Sequence, residues 1–542
     1  MLNLRPYQEE AVQALFDFFE DHRGEKAANP LIALPTGTGK SIIIAEAIRR
    51  AFEIYPPFRV VMATHVKALI ENNAKKMQEH WQLAPIGIYS AGMNKADSIQ
   101  PIVFGGIQSM VRKFSKFGYR DWLIIDEAHL LGDEGSYLKF ITELKHKNPM
   151  LKVIGLTASP WRLGMGSLLN GKIFTHTCYN LTDVDGWSKL IAENYLCPLF
   201  SKRADTQYDL SNVGISKGEF NQSEMERAVD KTDTNHRALS EFVHYGQNRN
   251  CWIGFASGIE HAEHLTDMLN NTFNIPTVCA HSKMSDGDND NAMKAWKTGQ
   301  VRCIISMNKL TTGIDHPPID YIGCFRGMMS SGLWVQLAGR GTRPYDCTNP
   351  NQYIPGFDYI KENCLLMDYG GNTKRLGPIN DPLIPRKKGE GGGGEIPVKI
   401  CPNCMVYNHI SARECVACGF VFPINSKLQD TASEVDIMVS DWPKIERFEV
   451  DRVVYSEHIS KGTGNSFVKA SYYCKGFKTF YEFKTVEGKA GWRGREWFRQ
   501  RYPAEPPATN IEVLQFASAL RAPVYINVWT NKKYPEIIGV EF

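Results

Sequence analysis

The sequence predicts an α/β protein. It should hold two parallel-sheet domains in tandem, then a small cysteine-paired module, then a β-rich C-terminal domain. Two features predict the paired sheets: short apolar runs alternate with helix-period segments in two successive blocks, and the first block opens on a glycine-rich loop between a strand and a helix. A Pro/Gly-rich stretch after about residue 380, followed by two C-x-x-C turns, separates the rest. The expected boundaries are 1–200, 201–380, a linker at 381–397, the cysteine module at 398–425 and the β-rich domain at 445–542.

The glycine-rich loop is Leu34-Pro35-Thr36-Gly37-Thr38-Gly39-Lys40-Ser41, after Leu31-Ile32-Ala33 and before the helical run Ile42 to Ile48. Gly37 and Gly39 let backbone N–H groups turn onto phosphate oxygens, the following helix points its positive end there, Lys40 reaches the β/γ-phosphates and Ser41 can hold Mg²⁺. Leu34 stands where the common form of the motif has its first Gly. The match is therefore to the variant x-P-T-G-x-G-K-[ST], and the expected ligands are ATP and Mg²⁺. Ahead of the loop, Val12, Leu15, Phe16 and Phe19 recur at helical spacing and predict an amphipathic helix from about Pro6 to Asp21. It opens on Arg5-Pro6-Tyr7-Gln8, where the Gln8 amide can accept from adenine N6 and donate to N7 with Arg5 beside it.

The runs Val60 to Ala63, Ile102 to Phe104, Trp122 to Ile125 and Val153 to Leu156 read as parallel strands, whose carboxyl ends are where ligands bind. The third leads into Asp126-Glu127-Ala128-His129. An Asp there can hold Mg²⁺ through water while the adjacent Glu orients and deprotonates the attacking water. The fourth ends in Thr157-Ala158-Ser159, small hydroxyls suited to bridging sheet edges.

The second block has strands at Cys251 to Phe255, Cys303 to Ile305, Tyr321 to Phe325 and Cys364 to Met367, and no phosphate loop of its own. It carries Leu310-Thr311-Thr312-Gly313-Ile314-Asp315 and then Gln336-Leu337-Ala338-Gly339-Arg340-Gly341-Thr342-Arg343. Arg340 and Arg343, three apart, suit the charge that develops on a transferring γ-phosphoryl group.

Past the glycines at 391–394, Cys401-Pro402-Asn403-Cys404 and Cys415-Val416-Ala417-Cys418 bring four thiolates to one tetrahedral point, the closed geometry of a structural Zn²⁺ site. His409, between the pairs, reads as a bystander. Between Lys469 and Arg501 there are nine basic residues against three Glu, interleaved with Tyr473, Phe477, Phe480, Tyr481, Trp492 and Trp497. Such a mixture suits single-stranded or junction DNA, yet a domain this small also needs aromatics for its core, and both readings stand.

At 542 residues the chain is too long for one core. A formal net charge of +3 confines any nucleic-acid surface to local patches. No apolar run approaches a membrane span, and the N-terminal residues lack a signal-peptide core, so no membrane partner and a cytoplasmic place are expected.

Taken in order, Arg5 to Gln8, the Lys40-Ser41 loop, Asp126 to His129, Thr157 to Ser159, Thr311 to Asp315 and Gln336 to Arg343 resemble the motif set of superfamily 2 helicases. The resemblance implies two RecA-like domains with ATP between them. It puts Arg5, Gln8, Thr36, Gly37, Thr38, Gly39, Lys40, Ser41, Gly313 and Asp315 at the nucleotide. Lys40, Asp126, Glu127, Gln336, Arg340 and Arg343 take the catalytic roles. DNA contacts follow from Thr64, His65, Ser90, Gly92, Gln108, Ser109, Ser257 and Thr311 on the opposite face. The succession of helicase core, Pro/Gly linker, Cys-Pro-x-Cys module with Ile410-Ser411-Ala412-Arg413, and a Lys-Ala-Ser-Tyr-Tyr strand is similar to the bacterial RadD family. Members of that family act on branched DNA in recombination and repair and work with single-strand-binding protein. The resemblance implies a bacterial cell, with a virus-borne gene equally compatible. A translocating subunit of a restriction or defence complex shares the Gln-x-x-Gly-Arg-Gly-x-Arg form and is the competing reading, with an RNA helicase a third.

Overall fold

The computed structural model describes residues 2–131, 135–162, 166–216, 218–307, 315–383, 398–409, 412–422, 445–460, 464–476, 478–488, 491–530 and 535–542. Two compact units result, Met1–Ser440 and Asp441–Phe542. Thr311, Gly313, Ile410, Ser411 and most of the expected linker lie outside the described residues.

In the first sheet the strands lie in the order His176–Asn180, Pro30–Ala33, Lys152–Thr157, Trp122–Asp126, Val60–Thr64, Ile102–Gly106, Ile86–Ser90 and Lys95–Ala96. All neighbours run parallel except the last pair. Three central strands, Pro30–Ala33, Val60–Thr64 and Trp122–Asp126, are buried along their whole length, as expected of near-continuous apolar runs covered by helices on both faces. The order divides the carboxyl edge: the loop after Pro30–Ala33 lies beside the ends of Lys152–Thr157 and Trp122–Asp126, while Val60–Thr64, Ile102–Gly106 and Ile86–Ser90 form the other half. The helix Pro6–Asp21 buries Tyr7, Gln8, Ala11, Val12, Leu15, Phe16 and Phe18.

The second sheet is parallel throughout, in the order Leu199–Arg203, Cys364–Asp368, Tyr321–Phe325, Trp252–Ala256, Cys303–Ser306 and Thr277–Ala280. Leu199–Arg203 is a correction to the expected division at residue 200. Its five residues pair with Cys364–Asp368, so the chain has crossed into the second sheet before residue 200. The reason is visible only in three dimensions: Cys364 N–H donates to Pro198 C=O at 2.8 Å, and Cys197 N–H to Thr342 C=O at 2.6 Å, which tie this segment to strands far along the chain.

The cysteine module packs on that same outer strand. Arg203 N–H donates to Met405 C=O at 3.2 Å, Lys202 forms a bridge with Val406, and Lys202 Nζ donates to Cys404 C=O at 2.8 Å.

The second unit, taken by itself, is a five-stranded antiparallel sheet in the order Lys478–Lys484, Ser466–Cys474, Ile445–Ile459, Tyr525–Trp529 and Glu536–Glu541. The helices Gly491–Arg499 and Asn510–Gln515 cover one of its faces around a core that includes Val468, Ala470, Tyr472, Phe480, Trp497, Phe498 and Ile526. Phe480 and Trp497 of the aromatic run are thus core, whereas Tyr481 is exposed.

Candidate functional site

The phosphate loop takes its shape from two glycines at positive φ, Gly37 at 90° and Gly39 at 77°. A Cβ on Gly39 would stand 2.6 Å from Gln8 Nε2, and one on Gly37 would stand 3.0 Å from Arg343 Cγ, so both positions exclude side chains on two counts. Thr38 Oγ1 donates to Pro35 C=O at 2.8 Å and closes the loop on itself. Lys40 opens the helix Lys40–Ile54, with Ser41 in its first turn. The Lys40 ammonium donates to Leu34 C=O at 3.2 Å and to Pro35 C=O at 3.3 Å. Burial lowers its pKa, and the charges of Glu127 and Asp126 oppose that fall.

Gln8 reaches the loop from the first helix. Its Nε2 donates to Thr38 C=O at 2.9 Å, and its Oε1 accepts from Arg5 N–H at 2.9 Å. The two atoms expected to face a base therefore face the chain, because Gln8 sits at the third helical position and reaches back to cap its own helix. Tyr7 joins it, donating its hydroxyl to the same Thr38 carbonyl at 2.7 Å. The Arg5 guanidinium lies 5.1 Å from the centre of the Tyr195 ring.

At the end of its strand Asp126 is buried and accepts from Asn73 Nδ2 at 3.0 Å and from Glu127 N–H at 3.0 Å. Burial, with the neighbouring Glu127 charge, raises its pKa to about 6. Glu127 holds a left-handed backbone (φ 54°, ψ 54°), a conformation that costs a non-glycine residue about 1–2 kcal/mol. That backbone turns consecutive carboxylates in different directions. His129 Nδ1 lies 3.4 Å from Glu127 Oε2.

The second domain meets this site through its arginine loop. Gln336 is buried in the helix Ser331–Ala338, and Arg340 is buried in the turn after it. A Cβ on Gly339 would stand 3.0 Å from Thr36 Cβ, so the two loops are in contact. Burial pulls both arginines down to about 10, with Glu127 opposing at Arg340. Arg343 pairs with Asp315, which lies exposed just past the undescribed segment.

A hydrogen-bond chain crosses the boundary. Gln336 Nε2 lies 2.7 Å from His129 Nε2, His129 Nδ1 lies 3.0 Å from Thr157 Oγ1, and Thr157 Oγ1 donates to Ser159 C=O at 3.0 Å. Trp161 Nε1 adds a 3.0 Å bond to Ser331 Oγ. Tyr7, Asn73 and His129 carry as much of this geometry as the residues singled out from sequence. For Tyr7 and His129 the signal is adjacency, since both sit inside the quoted motifs; Asn73 has none.

Thr311 aside, the residues expected to touch a strand lie along the carboxyl edges. Thr64 ends its strand beside Gly106, and its buried hydroxyl accepts from Val66 N–H at 3.4 Å. Ser109 Oγ accepts from Ala91 N–H at 3.1 Å, linking the turns that hold Ser90, Gly92 and Gln108. His65 packs edge-on to Tyr137 at 4.9 Å. Ser257 is buried, its Oγ 2.8 Å from His261 Nδ1.

The four cysteine sulfurs lie within 4.8 Å of one another, with Cys401–Cys418 at 3.6 Å and Cys404–Cys415 at 3.5 Å. Thiolates about 2.3 Å from a tetrahedral ion stand about 3.8 Å apart, so the four can hold one metal ion. Each C-x-x-C turn ends on a left-handed residue, Met405 at φ 61° and Gly419 at φ 69°. Asn403 Nδ2 donates to Cys418 Sγ at 3.5 Å.

Two domain models match the chain: "Type III restriction enzyme, res subunit" over residues 1–162 and "Helicase conserved C-terminal domain" over 234–344. The chain carries the core of a superfamily 2 helicase. The matched domains, and relatives named ATP-dependent helicases, make this helicase core an ATP-hydrolysing one. The protein is 22% identical over 399 residues to one named ATP-dependent helicase IRC3 of Saccharomyces cerevisiae, covering 70% of this chain and 53% of that one. It thus spans about half the length of that relative. A 51.5 kDa protein of a Lactococcus phage (isolate 7-9) is 22% identical over 490 residues, covering 87% of this chain and 99% of its own. Among solved structures, a fragment of an HsdR subunit of a type I restriction enzyme from Vibrio vulnificus YJ016 is similar at 17% identity with a TM-score of 0.49, covering 71% of this chain and 68% of that chain. No helix among the described residues is long and apolar enough to cross a membrane.

Proposed function

We propose that the protein is a DNA-dependent ATPase that translocates on or remodels branched DNA in recombination, repair or replication. ATP and Mg²⁺ bind between residues 1–200 and 201–380. The observation that carries this reading is the contact of Arg343 with Gly37: a second-domain cation rests on the phosphate loop, so hydrolysis and closure are one event. Ser41 and Asp126 hold Mg²⁺, Lys40 and the loop amides hold the phosphates, Glu127 activates water, and Arg340 and Arg343 stabilise the transferring phosphoryl group. The strand lies along Thr64, His65, Ser90, Gly92, Gln108, Ser109, Ser257 and Thr311, opposite ATP. Cys401, Cys404, Cys415 and Cys418 hold Zn²⁺. The likeness to RadD in motif order adds single-strand-binding protein as a partner and the bacterial cytoplasm as the place.

ATP turnover measured side by side with single-stranded DNA, forked DNA and RNA tests the reading. The expected result is strongest stimulation by forked DNA. Stimulation by RNA alone would overturn the DNA assignment. The match to a restriction-subunit model favours one second reading, a motor subunit of a restriction or defence complex. That reading predicts turnover that needs long duplex DNA and a separate nuclease chain.

A further inference from the structure

The sheet of the second unit has one face under helices and one face in water, and the open face is not the usual polar one. On the strand Ser466–Cys474, side chains alternate between Val468, Ala470 and Tyr472, which are buried in the core, and Phe467, Lys469 and Tyr473 on the other side. The neighbouring strands keep the register: Tyr473 stands opposite Arg452 and Thr479, Ser471 opposite Val454 and Tyr481, Lys469 opposite Ser456 and Phe483, Phe467 opposite His458. Tyr481 is 48% and Phe483 47% exposed, although aromatic residues of this size ordinarily seek the core. Cations attend the rings: Lys469 Nζ lies 4.3 Å from the centre of Tyr481, and the Arg452 guanidinium 4.7 Å from that of Tyr473. Two carboxylates of these strands point the other way, while Glu449, between the core-facing Phe448 and Val450, is on the open side opposite Tyr525 and pairs with Lys475. Glu482 accepts from Tyr472 and Trp497 on the helix side, and Glu457 stands opposite the buried Val468. Asp451 sits at the margin, at the strand irregularity.

We infer that this open face is a second nucleic-acid site, a stacking platform for single-stranded DNA. Successive bases lie on Tyr481, Phe483 and Tyr473, and Lys469 and Arg452 meet the phosphates between them. A π-face accepts any base, so the platform has no need of sequence readout, and flexible cations resting on the rings can swing to a phosphate when a base displaces them. Among the described residues no carboxylate stands opposite Lys469 or Arg452, which favours a polyanion over a protein partner, whose surface would bring both signs. The site is built wholly from residues of the second unit and gives the protein a hold on a strand that does not lapse when the ATP cleft opens.

The test uses full-length protein without nucleotide and a fluorescein-labelled oligo-dT strand, read by anisotropy. Tyr481→Ala with Phe483→Ala should weaken binding roughly tenfold or more, and Tyr481→Trp with Phe483→Trp should restore it. Lys469→Ala with Arg452→Ala should flatten the log–log salt dependence by about 1.4. Ultraviolet crosslinking of a strand carrying 5-iodouracil should label the peptide holding Tyr481 and Phe483. ATP turnover without DNA should be unchanged in all of these variants. Unchanged affinity and salt slope, crosslinks confined to residues before 380, or Trp variants as weak as the Ala variants would each overturn the platform. A protein with no ATPase under any condition would defeat the proposed function and leave this test intact.

Discussion

The Nε2 atom of His129 and the amide nitrogen of Gln336 stand 2.7 Å apart across the boundary between the two parallel-sheet domains. An amide nitrogen only donates, so His129 Nε2 must be the acceptor and Nδ1 must carry the proton, which it offers to Thr157 Oγ1. Burial holds the His129 pKa down, to about 4, in keeping with a neutral ring. Protonation would set donor against donor. Because the folded value lies below the ordinary 6.5, this contribution to stability is fully present above about pH 6.5. It is lost as pH falls from there through about 4, a loss on the order of 3 kcal/mol at most. Domain coupling, read as DNA-stimulated ATP turnover, should therefore decline below pH 6.5 more steeply in the native protein than in His129→Ala. Superimposable pH profiles would refute this role.

Glu127→Gln should bind ATP and hydrolyse it at least a hundredfold more slowly, since general-base action is typically worth about 10²–10⁴. Its left-handed backbone is unchanged by the substitution, and nucleotide affinity is the control. Lys40→Ala should lose affinity as well as turnover. Wild-type hydrolysis by Glu127→Gln in the presence of DNA would remove the residue from the chemistry.

Arg340→Ala and Arg343→Ala should each lower kcat by about a thousandfold with little change in nucleotide affinity, because the charge they meet appears mainly in the transition state. Gly37→Ala should act in the same direction by a different route. It forces a left-handed alanine and crowds Arg343 Cγ at 3.0 Å. A raised KM at constant kcat in the arginine variants would show that they bind ground-state nucleotide only.

The four cysteines predict one equivalent of zinc per chain, measurable by atomic absorption, and Cys415→Ser should abolish it. ATP turnover without DNA should survive that change, since the cleft lies wholly before residue 380. A chain that binds no zinc yet gives the same thermal unfolding curve as wild type would exclude a structural metal.

How much of this was legible in sequence follows from range. The first helix, from Pro6 to Asp21, and the strand ending in Asp126 are fixed by local periodicity, and the glycines of the phosphate loop by local backbone chemistry. Leu199–Arg203 and Thr277–Ala280 are strands whose partners lie elsewhere in the chain, and five or four residues carry too little pattern to announce them. In the site, motif spacing pointed to Lys40, Asp126, Glu127 and Arg343. It could not tell that Gln8 turns its amide onto Thr38, or that Asn73 holds Asp126, because both are matters of side-chain direction across tens of residues. The aromatic run of the tail is divided only by the fold: strand register turns Phe480 inside and Tyr481 outside, and the helix Gly491–Arg499 carries Trp497 into the core.

The docking of the cysteine module on Leu199–Arg203 has a bearing on solubility. That strand is the outermost of its sheet, and an outermost strand offers a row of unmet amides and carbonyls to any passing chain. Met405 C=O takes the Arg203 amide, and Val406 bridges Lys202, so the module serves as a stopper on the sheet's adhesive rim. Stripping the metal, or ending the chain near Pro385, would then leave catalysis in place and make the molecules stick to one another. Light scattering during titration with a chelator should rise before ATP turnover falls, and cells short of zinc would lose this protein to aggregates rather than to inactivity.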